Sequence, residues 1–169
     1  MRDGYVSTAS MSTQRIPMTP EGYKVLQERL KHLKSVERPR IIAAIEEARG
    51  HGDLSENAEY DAAKERQQQI SQQMQEIEHK LSLAQVIDPA TITSKKVLFG
   101  ATVTVSDIST GDTLTYTLVG SDESDIQAGK ISIDAPIGRA FIGKEEGDEV
   151  KVQTPKGVRE FEIVAVKYG

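Results

Sequence analysis

Residues 63–84 read AKERQQQISQQMQEIEHKLSLA, and this stretch decides the first half of the fold. Its apolar residues recur at alternating spacings of four and three: Ile70, Met74, Ile77, Leu81 and Ala84. The same rhythm continues backward through Gln67, Ala63, Tyr60 and Glu56. Spacings of three and four place side chains on one helix face, so the sequence predicts a long helix with one apolar seam.

A second helical segment precedes this one. Thr19-Pro20-Glu21 is typical of a helix start, with a hydroxyl N-cap, proline in the first turn and an acid beside it. The seam of this segment is predicted to comprise Tyr23, Leu26, Leu30, Leu33, Ile41, Ile45 and Ala48. The gap between Leu33 and Ile41 exceeds a heptad and contains Pro39, which predicts a kink or local unwinding.

Two helices of about thirty residues joined by a short loop predict an antiparallel hairpin with arms about 45 Å long. A plain spacer or a dimerisation element is the alternative interpretation. The loop reads GDLSENAEY at 52–60, and with Asp61 it gathers Asp53, Glu56 and Glu59, a local charge of −4 without Lys or Arg. Such an acidic tip favours a divalent cation, Mg²⁺ above all, or a basic cavity as its partner. Alternatively, Asp53-Leu-Ser-Glu56 fits a helix capping box.

After the hairpin, the sequence pattern changes to the alternation of apolar and polar residues that is typical of β-strands. Residues 88–96 predict a linker, and a short helix is expected at 136–142 before Gly143. Strands are predicted at 101–105, 113–119, 130–133, 149–153 and 158–166, with hairpin turns at 109–112 and 155–157. The expected fold class is α+β, with a helical hairpin domain at 16–88 and a small, mostly antiparallel β domain at 97–169.

Composition narrows the class of protein. The chain has 169 residues, a net charge of −5 and no cysteine, which excludes disulfides and thiolate zinc sites and fits a reducing cytoplasm. No apolar run approaches the ~18 residues of a membrane span, so no membrane association is expected. Only the first dozen or so residues, which are polar and small, are predicted to be unstructured, with Met11 as an alternative start. The β domain shows no catalytic triad, phosphate loop or metal-ligand cluster.

Several motifs resemble those of one known family. They are IPMT at 16–19, RPRII at 38–42, HGDLSENAEY at 51–60, FGATV at 99–103 and PIGRA at 136–140. Over residues 16–169 the chain resembles the bacterial Gre transcript-cleavage factors, which act in transcription elongation, and it is most similar to the GreA branch. The resemblance implies an N-terminal coiled-coil hairpin and a C-terminal domain of FKBP-like fold.

The resemblance also implies a function inside RNA polymerase. A factor of this family docks at the mouth of the secondary channel and extends its coiled coil to the active centre. There it stimulates Mg²⁺-dependent cleavage of the nascent RNA 3′ end in backtracked complexes. The expected protein is therefore a monomeric accessory factor without a nuclease site of its own. Its partners would be RNA polymerase and nascent RNA, and its Mg²⁺ would be shared with the polymerase.

Individual roles follow from the same resemblance. Asp53 and Glu56 would hold the second Mg²⁺ of a two-metal centre together with the attacking water. The residues that would support the tip are Asn57, Glu59 and Tyr60. The residues that would contact the RNA are Arg49 and Lys64. Docking on the polymerase is expected around Asp134, Pro136 and Arg139.

Two other functions stay open on the sequence. An inhibitory paralogue would occupy the channel without stimulating cleavage, although intact Asp53 and Glu56 disfavour it. A prolyl isomerase would share the FKBP-like fold, but that class uses a pocket rich in aromatic residues, and the domain has no tryptophan.

Overall fold

The computed structural model describes residues 14–50 and 57–169. They form two compact units. The helical unit holds Tyr23–Ala84, and the sheet unit holds Arg15–Gly22 together with Gln85–Gly169. The α+β class predicted from the sequence is confirmed. No helix in the described ranges is long and apolar enough to cross a membrane.

Three α-helices build the hairpin. Helix α1 spans Pro20–His32, α2 spans Arg38–Arg49 and α3 spans Ala58–Leu83. A single π-helical turn, Leu33–Glu37, joins α1 to α2. This turn confirms the predicted unwinding, because Pro39 has no N–H to donate to the preceding turn and the backbone must change its hydrogen-bond pattern there.

The helices pack along the predicted seam. Leu33, Ile70, Met74 and Ile77 are buried, and the partly buried residues packed against them are Leu26, Leu30, Ile41 and Leu81. Toward the tip the seam narrows to the buried side chains of Ile45, Ala48 and Ala63. Two of these three buried residues are alanines, which occupy less volume than the leucine, isoleucine and methionine residues of the rest of the seam.

Polar contacts across the hairpin fix its antiparallel register. Glu37 in the π-helical turn accepts hydrogen bonds from Arg29 at 2.8 Å and from Arg66 at 2.7 Å, and its side chain is only 16% exposed. His32 lies 3.5 Å from the same carboxylate. Burial works to raise the pKa of Glu37, but the neighbouring Arg29 and Arg66 charges outweigh it and hold the pKa below its ordinary value. This carboxylate therefore ties α1 to α3.

Two short strands fall outside the predicted pattern. Strand β1, Ile16–Met18, pairs with β2, Ala84–Val86, to form a separate two-stranded sheet. The predicted helical seam included Ala84, and this is wrong: α3 ends at Leu83 and Ala84 has extended backbone angles. A single three-residue strand carries too few alternations to stand out against the helical rhythm before it.

The sheet unit is built on a five-stranded mixed sheet. The bounds of its strands are β3 Thr102–Asp107, β4 Thr113–Val119, β5 Lys130–Ser132, β6 Glu149–Thr154 and β7 Gly157–Lys167. They run in the order β5-β4-β3-β7-β6, and every neighbouring pair is antiparallel except β4 and β5. The predicted mostly antiparallel domain is thus confirmed, with strand ends shifted by no more than two residues.

The core of the sheet unit lies under one face of the sheet. Phe141 and Phe161 are fully buried and meet edge to face, with ring centroids 5.7 Å apart. Helix α4, Pro136–Phe141, brings Phe141 onto the sheet and confirms the predicted short helix. Gly138 allows this approach, because a Cβ at that position would lie 2.1 Å from the carbonyl oxygen of Ser132.

The first residues of α1 belong to the sheet unit. The Thr19 hydroxyl accepts a hydrogen bond from the Gly22 N–H at 3.1 Å, which confirms the predicted N-cap. Thr19 also donates its N–H, at 3.1 Å, and its hydroxyl to the Glu123 carboxylate. A Cβ on Gly22 would lie 2.3 Å from the carboxyl carbon of Glu123. Residues 15–22 therefore pack with the sheet, a contact that helical periodicity does not reveal.

Candidate functional site

The acidic tip is only partly within the described residues. Asp53 and Glu56, the predicted catalytic and metal-binding pair, lie outside them. Their roles remain predictions from the sequence. The described structure does show what lies on either side: α2 ends at Arg49, and α3 begins at Ala58.

Asn57 joins the two helices at the tip. Its side-chain oxygen accepts a hydrogen bond from the Tyr60 N–H at 3.0 Å, which makes it the N-cap of α3. Its amide nitrogen donates to the carbonyl oxygen of Ala48 in α2 at 2.7 Å. One side chain thus caps α3 and closes the hairpin, which gives the predicted tip-support residue a specific task.

This cap corrects one expectation about the helix start. The helix predicted to continue back to Glu56 begins at Ala58, and its N-cap is Asn57. The capping-box interpretation of Asp53-Leu-Ser-Glu56 lies outside the described residues and stays a prediction.

The first turn of α3 carries the other two acids of the tip. Glu59 and Asp61 are exposed and lie within this turn. Carboxylates there interact favourably with the positive end of the helix dipole, so these two residues also stabilise the helix. Tyr60 between them is half-buried on the seam, one turn before the buried Ala63. Its position agrees with the packing part of its predicted role.

The two predicted RNA contacts are exposed on different helices. Arg49 is the last residue of α2, immediately before Gly50, whose N–H bonds the carbonyl oxygens of Glu46 and Glu47. Lys64 lies near the start of α3 and borders a shallow depression with Gln67 and other polar residues. Both cations are therefore available at the surface near the tip.

The sheet unit carries the predicted docking residues. Asp134, Pro136 and Arg139 are all exposed around the start of α4. Asp134 accepts a hydrogen bond from the Ser121 hydroxyl at 2.6 Å, and its own N–H donates to the Ser132 hydroxyl at 3.0 Å. These contacts fix the loop before Pro136, which begins the helix.

A cavity of about 370 Å³ opens beside Pro136. Its lining combines aliphatic residues with Tyr116 and several polar side chains, and it includes Ile126, which is 83% exposed, and Arg159. Sequence reasoning missed both residues. The signal for Ile126 was an isolated apolar residue in the polar stretch SDESDIQ at 121–127, whereas Arg159 lies in a strand whose alternation assigns it no role.

Arg159 is held by a nearly buried carboxylate. Its Nη2 donates to Asp107 Oδ2 at 3.0 Å, and the Asp107 side chain is only 8% exposed. The hydrogen bond from Arg159 lowers the pKa of Asp107 most, and the backbone N–H groups of Thr110 and Ser109 add to it against the effect of burial. Asp107 therefore stays ionised and keeps the guanidinium in place.

Comparison with known proteins agrees with this architecture. Residues 16–86 match the family described as "Transcription elongation factor, N-terminal", and residues 92–168 match "Transcription elongation factor, GreA/GreB, C-term". Transcription elongation factor GreA of Hyphomonas neptunium is 58% identical over 155 residues, covering 92% of this chain and 99% of that protein. GreA of Neisseria meningitidis serogroup A is 55% identical over 156 residues, with coverages of 92% and 99%.

Among solved structures, GreA factor homolog 1 (Gfh1) of Thermus thermophilus is 26% identical, with a TM-score of 0.43 and coverages of 91% of this chain and 99% of that one. The two matched regions of the sequence correspond to the two halves of the described fold, and the curated relatives match across nearly their whole length. The chain belongs to the GreA/GreB family of transcription elongation factors.

Proposed function

We propose that this protein inserts its helical hairpin into the secondary channel of RNA polymerase and stimulates Mg²⁺-dependent cleavage of backtracked RNA 3′ ends. The observation that carries the proposal is the hairpin itself, closed by Asn57 directly beside the predicted acidic pair. Helix α3 has 26 residues and is therefore about 39 Å long. A rigid arm of that length suits a narrow passage leading to a distant active centre.

The donor chemistry of the tip fits Mg²⁺. Carboxylate oxygens are its preferred protein ligands, and a site needs only one or two of them when phosphate and water complete the octahedron. Asp53 and Glu56 by themselves would leave most of the octahedron open, so the proposed site takes further ligands from the polymerase and the ion is shared between the two proteins.

Asp53 and Glu56 would hold this ion and orient the attacking water toward the scissile phosphate. Mg²⁺ when bound stabilises the attacking and leaving oxygens and lowers the pKa of bound water. The chain itself supplies position: the bond from Asn57 to the Ala48 carbonyl anchors both ends of the segment that carries the acids. The factor is accordingly an accessory protein that completes an active site of the polymerase.

Arg49 and Lys64 would contact phosphates of the extruded RNA. Both side chains are exposed on the helices that border the tip. Phosphate contacts of this kind position the nucleic acid without reading its sequence. The proposed setting is the bacterial cytoplasm, where the monomer meets transcribing polymerase.

Docking would use the surface around Asp134, Pro136 and Arg139. An Asp134→Lys substitution is expected to weaken binding to the polymerase, since it reverses a charge and removes the acceptor for Ser121. Arg15→Glu, a charge reversal elsewhere in the same unit, is the control. Equal binding of the Asp134→Lys variant and the unmodified protein would rule this surface out.

The proposed activity is tested with a stalled, backtracked elongation complex that carries labelled RNA. Addition of the factor is expected to shorten the transcripts, and an Asp53→Asn/Glu56→Gln double variant is expected to bind without shortening them. Binding by the unmodified factor without any cleavage would contradict the proposal and favour an inhibitory factor. Catalysis of peptide isomerisation by the factor alone would favour the prolyl isomerase.

A further inference from the structure

Four ionisable side chains meet where the π-helical turn faces α3. Both oxygens of the Glu37 carboxylate are occupied: Oε1 accepts from Arg66 at 2.7 Å, and Oε2 accepts from Arg29 at 2.8 Å. The imidazole Nε2 of His32 lies 3.5 Å from the same Oε2. These four residues form the Glu37 network. Because each guanidinium is a planar donor, a carboxylate shared between two of them restrains both their separation and their orientation.

The two guanidinium groups extend the Glu37 network along α3. Arg29 Nη2 donates to the side-chain oxygen of Gln73 at 3.2 Å, and Arg66 Nη1 donates to that of Gln69 at 3.3 Å. Since Arg29 belongs to α1, the network joins α1, the π-helical turn and α3 at one level of the hairpin. Hydrogen bonds that share partners in this way can hold a geometry better than the same contacts made singly.

Apolar packing is thin between the Glu37 network and the tip. In the described part of the arm, the buried side chains there are Ile45, Ala48 and Ala63, and two of the three are alanines. The network itself borders a cavity of about 200 Å³. Small side chains and open space offer little resistance to a relative shift of two helices, so the polar contacts have to hold α2 and α3 in place.

The Glu37 network lies far enough from the tip for small rotations to matter. Arg66 comes eight residues after Ala58, the first residue of α3, which is a separation of about 12 Å along the helix. A rotation of α3 against α2 by about 5° at Arg66 therefore displaces Ala58 by about 1 Å. In a reaction that depends on positioned groups, a displacement of about 1 Å can lower the rate roughly a hundredfold.

We propose that Glu37 is a positioning residue for the predicted catalytic pair, Asp53 and Glu56. It joins α1 to α3 through Arg29 and Arg66, and so fixes the helices between which the segment with the pair is placed. This inference rests on the proposed function, in which the pair completes the metal centre. Loss of Glu37 should slow cleavage and leave docking intact, because the proposed docking surface lies on the sheet unit.

The test compares full-length variants in the cleavage assay with backtracked complexes, at a temperature at which circular dichroism shows that each variant is folded. The factor concentration is varied, so that the half-saturating concentration reports docking and the rate at saturation reports positioning. Glu37→Gln is expected to lower the saturating rate roughly tenfold and to change the half-saturating concentration by less than about twofold. Glu37→Asp keeps the charge and should recover part of the rate.

Arg66→Gln tests the same contact from its other side. It should slow cleavage to a similar extent, and the Glu37→Gln/Arg66→Gln double variant should be no slower than the slower single variant, because one shared contact is removed. The Mg²⁺ concentration that gives half the saturating rate should rise in all three variants, since misplaced carboxylates hold the ion less well. A role in stability alone would not move this value in folded protein.

Glu78→Gln is the matched control. Glu78 of α3 lies 3.6 Å from Lys34 of the π-helical turn, and both side chains are well exposed. The variant therefore removes one negative charge from a contact between the same two elements, but from a pair that solvent screens. Its saturating rate and its Mg²⁺ dependence should match those of the unmodified factor.

The outcomes separate the inference from the proposed function. If the unmodified factor stimulates no cleavage, the proposed function fails and the inference fails with it. If it does stimulate cleavage and Glu37→Gln reaches the same saturating rate, or Glu78→Gln loses as much, only the inference is overturned. A change confined to the half-saturating concentration would assign Glu37 to binding, and additive losses in the double variant would show that Glu37 and Arg66 act separately. Should Glu37→Gln not fold, Arg29→Gln takes its place, with the same split between rate and docking expected.

Discussion

Asn57 and its acidic neighbours show how adjacent residues can have separate tasks. Asn57 uses both ends of its amide for structure, one on the α3 cap and one on the Ala48 carbonyl. Glu59 and Asp61 lie in the first helical turn, where they also favour the helix. Asp53 and Glu56 precede the cap of α3. They lie outside the described residues, and their catalytic role stays a prediction.

Asp53→Ala and Glu56→Ala are expected to abolish stimulated cleavage while leaving the melting temperature nearly unchanged. Asn57→Ala, in contrast, is expected to lower the free energy of unfolding by about 0.5–2 kcal/mol, because the helix cap is lost. Melting curves beside the cleavage assay compare the three variants directly. Full cleavage by Asp53→Ala together with a lowered melting temperature would contradict the metal-binding role.

The lowered pKa of Asp107 predicts that the stability of the protein decreases at acidic pH. Its pKa is lowered in the folded protein from an ordinary value of 3.8, so its contribution to stability is fully present above that pH. The contribution is lost as the pH falls below about 4 and through the folded pKa, because the unfolded chain then binds the proton first. The melting temperature of the Asp107→Asn variant should therefore fall less steeply than that of the unmodified protein between about pH 5 and pH 2. An unchanged slope would contradict this.

At the scale of the elements, the hairpin depends on the π-helical turn as much as on its heptads. The turn places Glu37 where Arg29 in α1 and Arg66 in α3 both reach it. Leu33, at the start of the same turn, is fully buried in the seam. An uninterrupted helix through Pro39 would shift these two side chains out of register with α3, so the irregularity itself aligns the hairpin.

Glu37→Gln is expected to destabilise the hairpin by about 1 kcal/mol, since two guanidinium groups would lose their shared carboxylate. Glu78→Gln is the matched control, because Glu78 is exposed and lies 3.6 Å from a single partner, Lys34. Its effect should remain within about 0.5 kcal/mol. Urea denaturation followed by circular dichroism at 222 nm measures both. Equal effects would show that the shared carboxylate is no more important than a surface ion pair.

At the scale of the whole molecule, the proposed cleavage activity requires the polymerase. Two or three carboxylates from one chain make an incomplete cage for an ion that dehydrates reluctantly. The free factor is therefore expected to bind Mg²⁺ in the millimolar range or more weakly, as measured by calorimetric titration. It should cut no RNA without polymerase, whereas cleavage in the ternary complex should rise with Mg²⁺ and with pH. Tight binding or polymerase-free cleavage would place a complete active site on this chain.

The periodic features of this protein were predictable from the order of its residues alone. Heptad spacing fixed the seam from Leu26 to Leu81, Pro39 marked the interruption, and alternation found all five strands of the main sheet. These features depend on neighbours within a few residues, which is the range over which sequence patterns act. The acidic tip was also visible in the sequence, as a cluster of negative charges without Lys or Arg.

Contacts between residues distant in the chain became apparent from the folded structure. It paired β1 with β2, brought Thr19 to Glu123, and set Asp107 beneath Arg159 at the rim of a cavity. It also gave the α3 cap to Asn57, although Asp53 fits the same local pattern. Such pairings depend on register and burial across the fold. A one-dimensional pattern contains neither, because each partner alone resembles any other polar surface residue.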